Sequence, residues 1–152
     1  MKMKLLLSGL ALALSSGYTL TAFSQAKPDV LVKQRQAAMT LQGKYFGPLG
    51  GMAAGKVPYR ADVVTYNASL LDALSRMPWD GFVDSTKGEK SAALPAVYSD
   101  PAKFKAAQDR FGDAVQVLVK ASKGSDEAAI KSAIGGVGKT CGGCHQDFRQ
   151  KQ

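Results

Sequence analysis

The sequence predicts an all-α protein, an antiparallel up-and-down four-helix bundle, on three observations. Four stretches repeat apolar residues at three- and four-residue steps. No stretch alternates apolar and polar residues between turn signals, and short β-branched pairs such as Val63-Val64 sit inside longer helical periodicities. The helical stretches are each roughly 17 to 25 residues long, the length that bundle helices need to share one core.

The first helix starts at Pro28, where a missing N–H costs nothing because the first helical donors have no partner. Leu31, Arg35, Ala38, Met39, Gln42, Tyr45, Phe46 and Leu49 lie on its inner face. Gly50-Gly51 weakens it, and Gly55-Lys56-Val57-Pro58 ends it. A second helix runs from about Ala61 to Met77, with Val63, Tyr66, Leu70, Leu74 and Met77 as its stripe and Pro78 as its stop. Residues 79–99 form a long connection containing Gly81, Gly88 and Pro95, a length that is either packed or functional.

Ser99-Asp100-Pro101 opens the third helix, with Asp100 as cap, and Phe104, Gln108, Phe111, Val115, Leu118 and Ser122 on one face. Lys123-Gly124 closes it with a cation and a glycine suited to the left-handed turn. Ser125 and Asp126 cap the fourth helix. Its inner face is Ile130, Ala133, Ile134, Val137, Cys141, Cys144, His145 and Phe148. Gly135, Gly136 and Gly138 each cost about 1 kcal/mol of helix propensity relative to alanine. Glycines kept beside a site often let something bulky approach the backbone.

The first 24 residues read as a cleaved export signal rather than as part of the fold. Lys2 and Lys4 give a positive start, Leu5 to Leu14 an apolar run too short to span a bilayer, and Ala22-Phe23-Ser24 or Ser24-Gln25-Ala26 a small-x-small cleavage site. The boundary falls at residues 22–26, leaving 25–152 as the helical domain of a periplasmic protein, free of the membrane once cleaved. Losing Lys2 and Lys4 lowers the formal net charge from +8 to +6, 18 basic residues against 12 acidic. The cations are scattered without interleaved aromatics, so nucleic-acid binding is a poor reading. A diffuse positive face steers encounters with acidic redox partner proteins.

Both cysteines and the only histidine stand together in Cys141-Gly142-Gly143-Cys144-His145. A disulfide across two residues would staple almost nothing. A thioredoxin-type motif would follow a strand, and none precedes this one; a zinc site needs about four ligands, and there are three. Cys-x-x-Cys-His is the attachment signature of haem c. On a helix, residues 141 and 144 are about one turn apart on one face, so both sulfurs reach one haem edge, and His145 beside them points its imidazole at the iron. With one histidine, the other axial position falls to Met39, Met52, Met77 or to no side chain. Met39, mid-helix on the Arg35 face, is the best placed.

A haem motif on the last helix of a four-helix bundle resembles the cytochrome c′ family, the class II c-type cytochromes. The resemblance spans essentially the whole mature chain. It rests on Lys33-Gln34-Arg35-Gln36 with Met39, Val57-Pro58-Tyr59, Met77-Pro78-Trp79 with Phe82, Tyr98-Ser99-Asp100, and the motif itself with Phe148-Arg149. It implies that Arg35 and Gln36 contact the haem propionates, that Met39 faces the iron, and that Trp79 and Phe82 pack near the haem. Arg149 would then stand at the proximal face. It also implies one haem c per chain, joined through Cys141 and Cys144, a homodimer through the first two helices, and five-coordinate iron that binds NO or CO. A sister group of the same class uses a first-helix methionine as sixth ligand, which makes a low-spin His145/Met39 electron carrier the alternative. Nothing resembles a nucleophile–base pair, so no enzyme activity is expected.

Overall fold

The computed structural model describes residues 26–151, and the expected leader lies outside them. Four long helices, α1 (Pro28–Ala53), α2 (Ala61–Leu74), α4 (Pro101–Ala121) and α5 (Glu127–Phe148), form the bundle, with a one-turn helix α3 (Ala96–Ser99) before α4. No strand occurs among the described residues; Ala93 and Arg149 form a single antiparallel bridge. The helices close in a ring, α1 against α2 and α5, and α4 against α2 and α5. No helix among the described residues is long and apolar enough to cross a membrane.

The caps follow local chemistry. Asp100 accepts from the Lys103 N–H at 3.0 Å and Asp126 from the Ala129 N–H at 3.0 Å, each satisfying a donor that the helix start leaves free. At the end of α1, Gly55 takes φ +69°, Gly55 N–H donates to Met52 O and Lys56 N–H to Gly51 O. That is a Schellman turn, and it needs a residue without a Cβ.

One helix end agrees with the sequence reading and one differs. Helix α1 continues through Gly50-Gly51 to Ala53, because Leu49 and Met52 in its last turns are buried in the central core. Pro48 lies inside it, and its missing N–H leaves the exposed Lys44 carbonyl to water. Helix α2 stops at Leu74 instead of Met77. The residue before a proline avoids the helical region, and the Ser75 hydroxyl donates to Asp72 O at 2.8 Å within the closing turn.

The buried face of α2 is also rotated by one residue. Val64, Asn67, Ala68, Leu71 and Leu74 face inward, whereas Tyr66 is 61% and Met77 55% exposed. Asn67 is the reason a polar residue fits there: its Nδ2 donates to Tyr45 O of α1 at 3.0 Å. Helices α4 and α5 bury the predicted Phe104, Phe111, Val115 and Leu118, and Ile130, Ala133, Ile134 and Val137.

The connection between α2 and α4 is packed. It makes two 3₁₀ turns, Trp79–Gly81 and Asp84–Thr86, and then pairs with the end of α5: Leu94 N–H donates to Phe148 O and Gln150 N–H to Ala92 O. A second apolar cluster of Val97, Phe104, Ala107 and Phe148 fills the space beneath it. Gly81 is where it meets α1. A Cβ built there would stand 2.9 Å from both Arg35 Cβ and Leu31 O. Gly81→Ala is therefore expected to lower unfolding free energy by about 1–3 kcal/mol in chemical denaturation, while Gly88→Ala, with open space around it, leaves it nearly unchanged.

Candidate functional site

At the end of the bundle where α5 finishes, a cavity of about 720 Å³ opens between α1, α4, α5 and the connection. That size suits a cofactor or drug-sized ligand. Helix α5 contributes Val137, Cys141, Cys144, His145 and Phe148 to it, and α1 contributes Arg35, Gln36, Met39, Gln42 and Phe46. Phe82, Phe104, Phe111 and Leu71 supply further apolar wall.

Burial pushes the Cys141 thiol above its ordinary range, and the neighbouring Cys144 adds to this. Burial raises Cys144 too, with Asp147 adding and Arg110 opposing. Partial burial, then the Arg149 charge, holds His145 below the usual imidazole value. The imidazole is therefore neutral at pH 7, the form that ligates a metal.

Arg35 is 3% exposed, so its side chain does not snorkel to water. Its Nη1 donates to Gly81 O at 2.6 Å, Thr86 Oγ1 at 3.1 Å and Tyr98 OH at 3.2 Å, and its Nη2 to Ser91 Oγ at 3.0 Å. The guanidinium carbon also lies 4.3 Å from the Phe82 ring centroid. Every partner is neutral, and no carboxylate of the described residues pairs with it. A buried cation without a counter-charge is costly, and this one lines the cavity.

The structure brings Cys141, Cys144, His145, Arg35, Gln36, Met39, Phe82 and Arg149 to one cavity. Trp79 is not in its wall. It stands behind Phe82, Phe104 and Phe111, at ring-centroid distances of 6.3, 6.2 and 6.4 Å, with its indole N–H bonded to Ser75 O. Of the three candidate methionines only Met39 lines the cavity; Met52 is in the central core and Met77 points to solvent.

Gln42, Phe46, Leu71, Phe104, Phe111 and Val137 were not singled out as site residues. For the α1 pair a signal was present: 35, 39, 42 and 46 follow one helical stripe. The backbone of Gly138 is what lets Phe46 approach α5, since a Cβ there would be 3.2 Å from the ring. Gly135 and Gly136 have no such neighbour.

A helical bundle whose cavity is lined by a Cys-x-x-Cys-His face and a buried, unpaired cation defines a c-type haem protein, because that spacing is the attachment signature of haem c. Comparison with known proteins gives the family. The family profile Cytochrome C' matches residues 30–149, and the chain belongs to the cytochrome c′ family. It is 44% identical over 126 residues to cytochrome c′ of Rubrivivax gelatinosus, covering 82% of this chain and 98% of that one. The crystal structure of that protein superposes with a TM-score of 0.78. A nitric oxide complex of a cytochrome c′ variant from Alcaligenes xylosoxidans matches at 37% identity and TM-score 0.77, over 84% of this chain and 98% of the other. Cytochrome c-554 of Cereibacter sphaeroides is 33% identical over 151 residues, covering 91% and 96% of the two chains. Haem c is the cofactor, with Cys141 and Cys144 the attachment cysteines of its motif.

Removing the guanidinium takes a charged donor from four oxygens, which keep only weaker or shared partners such as the 3.3 Å contacts of Thr86 Oγ1 with Gly81 O and of Ala93 N–H with Ser91 Oγ. Arg35→Leu is expected to cost about 2–4 kcal/mol in urea unfolding of the haem-loaded protein, because unmet buried polar groups cost about 1–3 kcal/mol each when they do not relax. Arg35→Lys should recover less than half of that, since a single ammonium cannot span Gly81, Tyr98 and Ser91 together.

Proposed function

We propose that this haem protein is exported to the periplasm, holds its iron through His145 alone, and keeps the Met39 side of the cavity for NO or CO. The observation that carries the reading is the cavity that these residues share. The attachment motif lies on the α5 wall, and apolar Met39, Phe46 and Leu71 stand among the residues of the others. Few donors there favour an oxygen adduct. Relatives have been solved with nitric oxide and with carbon monoxide bound, which supports gas binding in this chain as well.

The bound haem supplies a Lewis-acidic, one-electron redox centre. The chain's own residues supply the rest. Cys141 and Cys144 tether one edge; His145, neutral at pH 7, presents a nitrogen lone pair. Arg35 offers its unpaired charge to a propionate with Gln36 at the rim, Phe82 walls the pocket with Trp79 packed behind it, and Arg149 sets a cation beside His145. Residues 1–24, ending between 22 and 26, act as the cleaved signal. Leu41, 40% exposed on α1, and Tyr66, 61% exposed on α2, offer apolar contact for a homodimer. Unpaired surface cations favour acidic redox partners.

A second reading is specifically favoured by Met39 lining the cavity: His145/Met39 ligation and a low-spin electron carrier. The optical spectrum of the ferrous protein before and after CO separates the two. A high-spin spectrum that shifts on CO addition supports the proposal; a low-spin spectrum indifferent to CO sinks it. Met39→Leu is expected to leave the ligand-free spectrum unchanged, whereas the second reading requires a change from low to high spin. Cys144→Ser should leave one thioether, seen as a changed haem absorption after denaturation.

A further inference from the structure

One helical turn past Met39, the α1 wall carries Gln42 next to Phe46, in a lining to which Leu71 of α2 and Val137 of α5 also belong. Its Nε2 donates to Leu74 O at 2.8 Å, a carbonyl at the end of α2 that lies outside the cavity wall. That bond fixes which end of the amide is which, because only the nitrogen donates to a carbonyl. No group of the described residues donates to Gln42 Oε1, yet no side-chain oxygen among them is sealed away without a partner. The oxygen is therefore free of any protein donor and open to a solvent-sized molecule, on a residue that lines the cavity. Neighbouring polar groups are already engaged: the Thr40 hydroxyl donates to Gln36 O at 2.9 Å, and Ser91 Oγ accepts from Arg35 at 3.0 Å.

We infer that Gln42 is the specificity-determining residue of the Met39 side of the cavity, its Oε1 presenting lone pairs to the outer atom of a bound diatomic. This rests on the reading that this side is left open to gas. A diatomic bound to reduced iron draws electron density onto its outer atom, least for CO, more for NO and most for O2. A lone pair aimed at that atom opposes the charge in proportion, and an apolar wall supplies no donor to offset it. Gln42 thus disfavours O2 most and CO least, and it sharpens gas selection in a pocket that apolarity alone would leave indifferent.

The test compares Gln42→Met, which removes both ends of the amide, with Gln42→Glu, which loses the amide N–H but keeps an acceptor oxygen. In the haem-loaded ferrous protein, Gln42→Met is expected to lower the infrared C–O stretching frequency of the CO complex. It should also tighten NO binding about fivefold, the weight of one neutral hydrogen-bond-sized interaction. Gln42→Glu should not lower the stretch. An unchanged or raised stretch in Gln42→Met overturns the inference. Equal lowering in both variants also overturns it, because the effect would then pass through Leu74 and the end of α2. Failure of the underlying reading looks different: the unsubstituted ferrous protein would then be low-spin and take up no CO.

Discussion

The buried guanidinium of Arg35 is the interaction on which the rest of the site end depends. One side chain of α1 ties down the 3₁₀ turn at Gly81, Thr86 beyond it, Ser91 in the cavity wall and Tyr98 of α3. These lie 46 to 63 residues away in sequence. Without them the connection has few helical bonds of its own, and its closure depends on long-range partners. The Phe82 ring beneath the cation adds a face that neutral packing could not replace. Yet all the hydrogen-bond partners are uncharged, so the charge is left for whatever fills the cavity.

This arrangement joins stability to cofactor binding. The connection that Arg35 holds also pairs through Leu94 and Ala92 with Phe148 and Gln150, four and six residues past Cys144. Helix α5 is therefore held at its haem-bearing end by a segment that α1 positions. Phe104 and Phe148, with ring centroids 5.1 Å apart, fill the seam between them. At the other end, the Thr65 hydroxyl on Ser122 O links α2 to the close of α4. The two ends are built differently: one is ordinary helix-loop-helix closure, the other a polar clamp around a cavity.

Much of this was legible in the chain because it is local. Asp100 and Asp126 cap as their side chains dictate, Gly55 closes α1 as a residue without a Cβ can, and the Cys141–His145 spacing declares its chemistry through helical geometry. What was not legible depended on neighbours. Tyr66 and Val64 are adjacent and both apolar, so periodicity alone could not say which faced the core; Asn67 bonding to Tyr45 decides it. Met52 and Met77 resembled Met39 as ligand candidates until packing put one in the core and the other in solvent. Trp79 was expected near the haem beside Phe82, but which of the two lines the cavity depends on the bond of the Trp79 indole to Ser75 O, which holds it one layer behind. Gln42 and Phe46 share the Arg35 stripe, although only the approach of α5 at Gly138 makes Phe46 a cavity residue.

The central claim is that one cavity wall holds the haem while the facing wall, with Met39 in it, is left to a gas. The most direct test is the distance from the iron to Met39 Sδ in a crystal structure of the haem-loaded, reduced protein. The account predicts a clear gap with no bond between them, and a propionate oxygen within hydrogen-bond reach of Arg35. An iron–sulfur bond would contradict it and make the protein a six-coordinate electron carrier.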